Sequence, residues 1–149
     1  MQGKSEKTDR YKSPVAAIFT GIGDLFKRTE HELDLHDLPP LDGKKVLITG
    51  ASSGLGFATA VELASRGAHV IMAIRSGIPQ KGEEVKRLSG STRVDMISLD
   101  LTNLESLKAF ADELMKKFGQ IDIIVCNAAM VANKSRATKE DLDEMFVVN

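Results

Sequence analysis

The stretch Thr49-Gly50-Ala51-Ser52-Ser53-Gly54-Leu55-Gly56 decides how the chain is read. It follows the apolar run Val46-Leu47-Ile48 and opens into the helix-like segment Phe57-Ala58-Thr59-Ala60-Val61-Glu62-Leu63-Ala64. Strand, glycine-rich turn and helix, in that order, aim backbone N–H groups and the positive end of a helix dipole at one point. A pyrophosphate is the usual occupant of that point. Gly50 is expected to permit the sharp exit from the strand, Gly54 the close approach of a cofactor, and Gly56 the close packing of helix on strand.

Downstream, the same alternation repeats. Short apolar runs at 45–49, 69–74, 94–99 and 121–126 are strand candidates, and amphipathic stretches at 54–66, 79–89 and 103–118 are helix candidates. A further helix is expected to start at Thr138. The strands are apolar at consecutive rather than alternate positions, which fits a parallel sheet covered on both faces. Right-handed crossovers then give a doubly wound α/β layer. Thr102-Asn103-Leu104-Glu105 reads as a capping box at the start of the helix over 103–118. Leu104, Leu107, Ala111, Leu114 and Phe118 are expected to form its buried face, and Gly119 to end it.

Composition restricts what such a layer can serve. The 149 residues include 42% hydrophobic and 28% charged positions with a net charge of −1. That balance supplies no electrostatic footprint for nucleic acid. No apolar run reaches the length of a transmembrane helix, and the N-terminus lacks a signal peptide's apolar core and cleavage site. A cytoplasmic location is the expectation. The single cysteine, Cys126, rules out an internal disulfide and is expected, from its neighbours Ile123-Ile124-Val125, to be a buried small hydrophobe. No metal site is assigned.

Residues 1–42 read as a lead and linker, and 43–149 as the folded domain. Met1 to Lys12 is polar and is expected to be disordered. Apolar residues at 15, 18, 19, 22, 25 and 26 suit one face of a short helix over 14–26, weakened by Gly21 and Gly23. Docking of that helix on its own domain is favoured over contact with a membrane surface or a partner. Thr20-Gly21-Ile22-Gly23 has no preceding strand and is rejected as a second phosphate loop. The acidic run from Glu30 to Asp37, followed by Pro39-Pro40, reads as a linker.

Four further positions surround the glycine loop in chain order. Arg75 and Ser76 follow the second strand, where an acidic residue would grip the ribose hydroxyls of NAD and an arginine accommodates the 2′-phosphate of NADP. No Asp or Glu competes there. Asp100-Leu101 ends the third strand, where a carboxylate suits the amino group of adenine. Asn127-Ala128-Ala129 ends the fourth, with small residues where backbone passes close to something flat. Asn149 closes Glu144-Met145-Phe146-Val147-Val148-Asn149.

This ordered set resembles the short-chain dehydrogenase/reductase family over roughly residues 41–149, and within it the NADP-linked retinol-dehydrogenase-like branch. The resemblance implies a Rossmann-type fold, NADP as cofactor, and hydride transfer to or from a small alcohol or carbonyl substrate. It also implies a homo-oligomer for the full-length protein. Thr49, Gly50, Ser52, Ser53, Gly54, Leu55 and Gly56 would hold the phosphates, with Arg75 and Ser76 on the 2′-phosphate. Asp100 and Leu101 would hold the adenine, and Asn127, Ala128 and Ala129 would pass beside the adenosine ribose. Asn149 would match the asparagine of the family's Asn-Ser-Tyr-Lys tetrad. Ala129 stands where the family commonly has glycine, a tolerable exchange if the backbone there is ordinary.

The family's serine and its Tyr-x-x-x-Lys follow well after that asparagine and have no counterpart here; the one tyrosine, Tyr11, lies in the polar lead. General acid–base catalysis of that kind is typically worth about 10²–10⁴-fold. The chain is therefore expected to be the cofactor-binding half of a longer oxidoreductase, with strand order 3-2-1-4 and the run 121–126 left as an open, aggregation-prone edge. The alternative is a non-catalytic NADP-binding or regulatory module. An epimerase-like relative is disfavoured, because Gly50-x-x-x-Gly54-x-Gly56 does not match that group's Gly-x-x-Gly-x-x-Gly.

Overall fold

In the computed structural model, residues 39–149 are described; the sequence readings for 1–38 lie outside the described residues. Five-residue β1 (Lys45–Thr49) carries Val46, Leu47 and Ile48 at no more than 4% exposure, and β2 (His69–Ile74) buries every residue from Val70 to Ile74. Burial at successive positions means that both faces of these strands are covered, as the apolar runs predict. Each such side chain contributes about 1.5–3 kcal/mol when taken out of water. With β3 (Val94–Ser98) and β4 (Ile123–Val125) they form one parallel sheet in the order β3-β2-β1-β4.

The pleat divides the core in two. Val46, Ile48, Val70, Met72 and Ile74 point to the face covered by α1 (Gly54–Ser65) and α2 (Gln80–Ser89), meeting Ala60, Ala64 and Val85. Leu47, Ile71, Ala73 and Ile97 point to the other face, under Phe110, Leu114 and Phe118 of α3 (Leu104–Phe118). Helices on both faces make the sheet doubly wound. The chain runs outward from β1 through β2 to β3, then crosses back to place β4 on β1's other side. That reversal opens a crevice at the carboxyl ends of β1 and β4.

Four local readings need correction. Asn103, not Thr102, caps α3: its side-chain oxygen accepts N–H bonds from Glu105 at 2.9 Å and Ser106 at 3.2 Å. The buried face of α3 uses Phe110 in place of Ala111, and Leu104 and Leu107 are 46% and 39% exposed. No helix begins at Thr138. There Thr138 Oγ1 accepts N–H bonds from Glu140 and Leu142, Asp141 takes a left-handed φ of 58°, and the chain turns. Helix starts only at α4 (Glu144–Val148), where Asp143 accepts the N–H of Met145 and Phe146.

The fourth correction is Cys126, which is exposed. It follows a strand that, among the described residues, pairs with β1 alone and has no strand on its far side; Ile124, on the same strand, is 60% exposed. β4 is also shorter than the run 121–126. The N–H groups of Asn127 and Ala128 bond the Thr49 hydroxyl, at 3.1 and 3.0 Å, instead of continuing the ladder. No helix among the described residues is long and apolar enough to cross a membrane.

Candidate cofactor-binding site

The site is a cavity of about 460 Å³ at the carboxyl ends of the four strands. Thr49, Gly50, Ser52, Ser53, Leu55 and Gly56 form its wall after β1, and Arg75 and Ser76 its wall after β2. Asp100, Leu101 and Thr102 stand beyond β3, and Asn127, Ala128 and Ala129 beyond β4. The strand order thus brings together residues up to 80 positions apart.

The glycine loop is locked from the β4 side. Asn127 Nδ2 donates to the carbonyl oxygens of Thr49 at 3.1 Å and Gly50 at 3.3 Å. A Cβ on Gly50 would lie 2.7 Å from Ala128 Cα, and Gly50 itself has φ +67°, a left-handed turn that glycine adopts without strain. A Cβ on Gly56 would collide with the Asn127 side-chain amide and sit 2.7 Å from the Gly50 oxygen. Close packing at Gly56 is therefore against this clamp. Gly54 has open space around it and does not line the cavity.

Three electrostatic features face the cavity. The first is the start of α1: Ser53 is extended and makes no side-chain cap, and the N–H groups of Gly54, Leu55 and Gly56 have no acceptor among the described residues. Unsatisfied donors at a helix N-terminus, with the dipole behind them, make an anion site. The second is Arg75, exposed at the end of β2 and without an ion pair among the described residues. The hydrogen bond from the Thr102 hydroxyl, aided by the Thr102 N–H and the Arg75 charge, outweighs partial burial and holds the Asp100 carboxyl below its ordinary value. A donor cradle, a cation without an ion pair among the described residues and a carboxylate acceptor on one cavity wall fit a nicotinamide dinucleotide.

Asn149 does not line the cavity. Its side-chain oxygen accepts the Met130 N–H at 2.8 Å and its amide donates to the Met130 oxygen at 3.0 Å, which ties the end of α4 to the segment after β4. Met130 and Val148, on either side of this tie, reach the cavity wall. Sequence reasoning assigned neither, nor Ala73, Ile74, Leu99 and Thr102. For Met130 and Val148 no local pattern exists to find them, since a contact over 19 positions places them. Ala129 has no left-handed backbone, so alanine costs nothing there.

A family model described as short chain dehydrogenase matches residues 44–149. The chain belongs to this family. Its relatives are oxidoreductases, and short-chain dehydrogenases typically bind a nicotinamide cofactor. Retinol dehydrogenase 13 of Mus musculus is 39% identical over 146 residues, covering 94% of this chain and 43% of that relative. The human WW domain-containing oxidoreductase is 40% identical over 110 residues, covering 72% of this chain and 26% of the relative. The chain thus spans about a quarter to under half of the length of these relatives.

Solved structures agree. A short-chain dehydrogenase/reductase of Serratia marcescens superposes with a TM-score of 0.59 at 29% identity, over 73% of this chain and 46% of that one. The N-domain of a bacterial malonyl-CoA reductase, solved with NADP, gives 0.59 at 28% identity, over 70% and 21%.

Proposed function

We propose that this chain is the NADP(H)-binding part of an oxidoreductase that moves hydride between the nicotinamide and a small alcohol or carbonyl substrate. The observation that carries the reading is Arg75: a guanidinium on the cavity wall, at the end of β2, without an ion pair among the described residues and with no carboxylate beside it in sequence. A fork of N–H donors matches a phosphate better than any other side chain does. Ser52, Ser53 and the open N–H groups at the start of α1 hold the pyrophosphate, and Ser76 assists Arg75. Asp100 and Leu101 bracket the adenine. Asn127, Ala128 and Ala129 form the wall beside the adenosine ribose. When bound, the nicotinamide supplies or accepts the hydride; the residues named here bind and orient it.

Fluorescence titration should show NADPH binding tighter than NADH by about 10- to 100-fold, the worth of a charge-assisted contact. Arg75→Ala should remove most of that gap. Equal affinities in the unmutated chain sink the assignment.

A further inference from the structure

Thr102 has no role in the reading of the site so far, yet it lies on the cavity wall. Both of its donors go to one atom: its N–H meets Asp100 Oδ1 at 3.0 Å and its hydroxyl meets the same oxygen at 2.7 Å. Asp100 is held elsewhere too. Its N–H donates to Ser106 Oγ at 3.0 Å, and its carbonyl accepts the Asn103 N–H at 3.2 Å. Among the described residues, every polar atom of Asp100 except Oδ2 thus has a partner.

We propose that Thr102 is a positioning residue for recognition of the adenine base, fixing the Asp100 carboxylate so that Oδ2 is the acceptor presented to the exocyclic amine. This rests on the NADP reading above. A carboxylate free to rotate offers either oxygen in many directions and loses rotamer entropy on binding; one tethered by two short bonds has already lost it. The residue is not needed to start α3, because Asn103 takes that role with both its N-terminal N–H bonds. Removing the Thr102 hydroxyl therefore separates positioning from helix stability. The same hydroxyl bond holds the Asp100 carboxyl below its ordinary value.

The test compares NADPH with its hypoxanthine analogue, in which a carbonyl replaces the amine and faces the carboxylate with an acceptor instead of a donor. Affinities of the intact chain are read by fluorescence titration and its folding by thermal melting. The unmutated chain should prefer NADPH by about tenfold, as expected for a hydrogen bond to a charged group. In Thr102→Val, which keeps the shape and the backbone N–H, the preference should fall to about two- or threefold with affinity for the analogue unchanged. Thr102→Ser, which restores the hydroxyl, should recover it. A Thr102→Val chain that keeps the full preference overturns the inference. So does one that loses affinity for both ligands alike while melting lower, since Thr102 would then be structural. If the unmutated chain prefers NADPH to NADH but does not distinguish the analogue, this inference fails alone. If it binds no dinucleotide, the NADP reading fails and takes this one with it.

Discussion

Gly56→Ala is the substitution whose cost the structure defines best. Position 56 is helical, so an alanine there gains about 1 kcal/mol of helix propensity. Against this, the added methyl overlaps the Asn127 side-chain amide and lies 2.7 Å from the Gly50 oxygen and 3.1 Å from Asn127 Cγ. Asn127 must swing away, giving up its bonds to the carbonyls of Thr49 and Gly50. Two such bonds are worth about 2 kcal/mol together, and overpacking against backbone adds about 1–3 kcal/mol. The net loss is about 2–4 kcal/mol, which in a domain of this size lowers the melting temperature by about 8–16 °C. Circular dichroism melts measure it. Asn127→Ala should cost the two bonds only, and the double variant should lose less than the sum of the singles, because the amide that obstructs the methyl is gone. By contrast, Gly54→Ala meets no atom within 4 Å, and its φ of +56° costs about 1–2 kcal/mol. A Gly56→Ala chain melting within about 2 °C of the unmutated one, or strictly additive singles, would refute the clamp.

Two further outcomes follow from other parts of the fold. Hydrogen bonds and charge from Lys117 and His69 outweigh the burial penalty on Asp95 and hold its carboxyl below the ordinary 3.8. A folded value below the unfolded one means that the unfolded chain binds more protons, so this group's contribution is complete above 3.8 and is lost as pH falls through the folded value. Urea midpoints measured from about pH 6 down to about pH 3 should fall, and Asp95→Asn should flatten that fall; an unchanged slope would remove Asp95 from the account. On the open edge, Ile124→Lys should suppress concentration-dependent association seen by sedimentation, since a charge on an exposed strand opposes edge pairing. Identical sedimentation of variant and unmutated chain would show that β4 does not drive association.

The sheet was readable because its evidence is local and redundant. In β1 and β2 the apolar runs coincide with the strands to the residue, since Val46 to Ile48 and Val70 to Ile74 all face a core and carry the same signal. The residues that follow each strand were readable for the same reason: a strand's end predicts its place in the crevice whatever the helices do. Cys126 failed because the run Ile123-Ile124-Val125 carries the signature of a strand covered on both sides, and hydrophobicity does not say which neighbours are present. Thr138 failed because a threonine hydroxyl bonds nearby N–H groups equally well in a turn, and Asp143, five positions on, is the stronger cap. Met130 and Val148 reach the cavity through a tertiary tie that leaves no periodic trace.

Thr102 and Asn103 show how such a competition acquires consequences for the site. Either residue can cap a helix, and Thr102 with Glu105 makes the better-known pattern. Yet the hydroxyl that would have served the helix is directed to Asp100, and Asn103 takes its place with bonds to Glu105 and Ser106. Ser106 in turn accepts the Asp100 N–H. The turn from Asp100 to Asn103 is therefore a single hydrogen-bonded unit that starts α3 on one side and builds the cavity wall on the other. The two roles stay separable, because α3 depends on Asn103 and the wall on Thr102. A change at Asn103 should weaken the helix by about 1 kcal/mol, as a lost cap does, and reach the cavity only through Ser106. A change at Thr102 should alter the cavity and leave the helix in place.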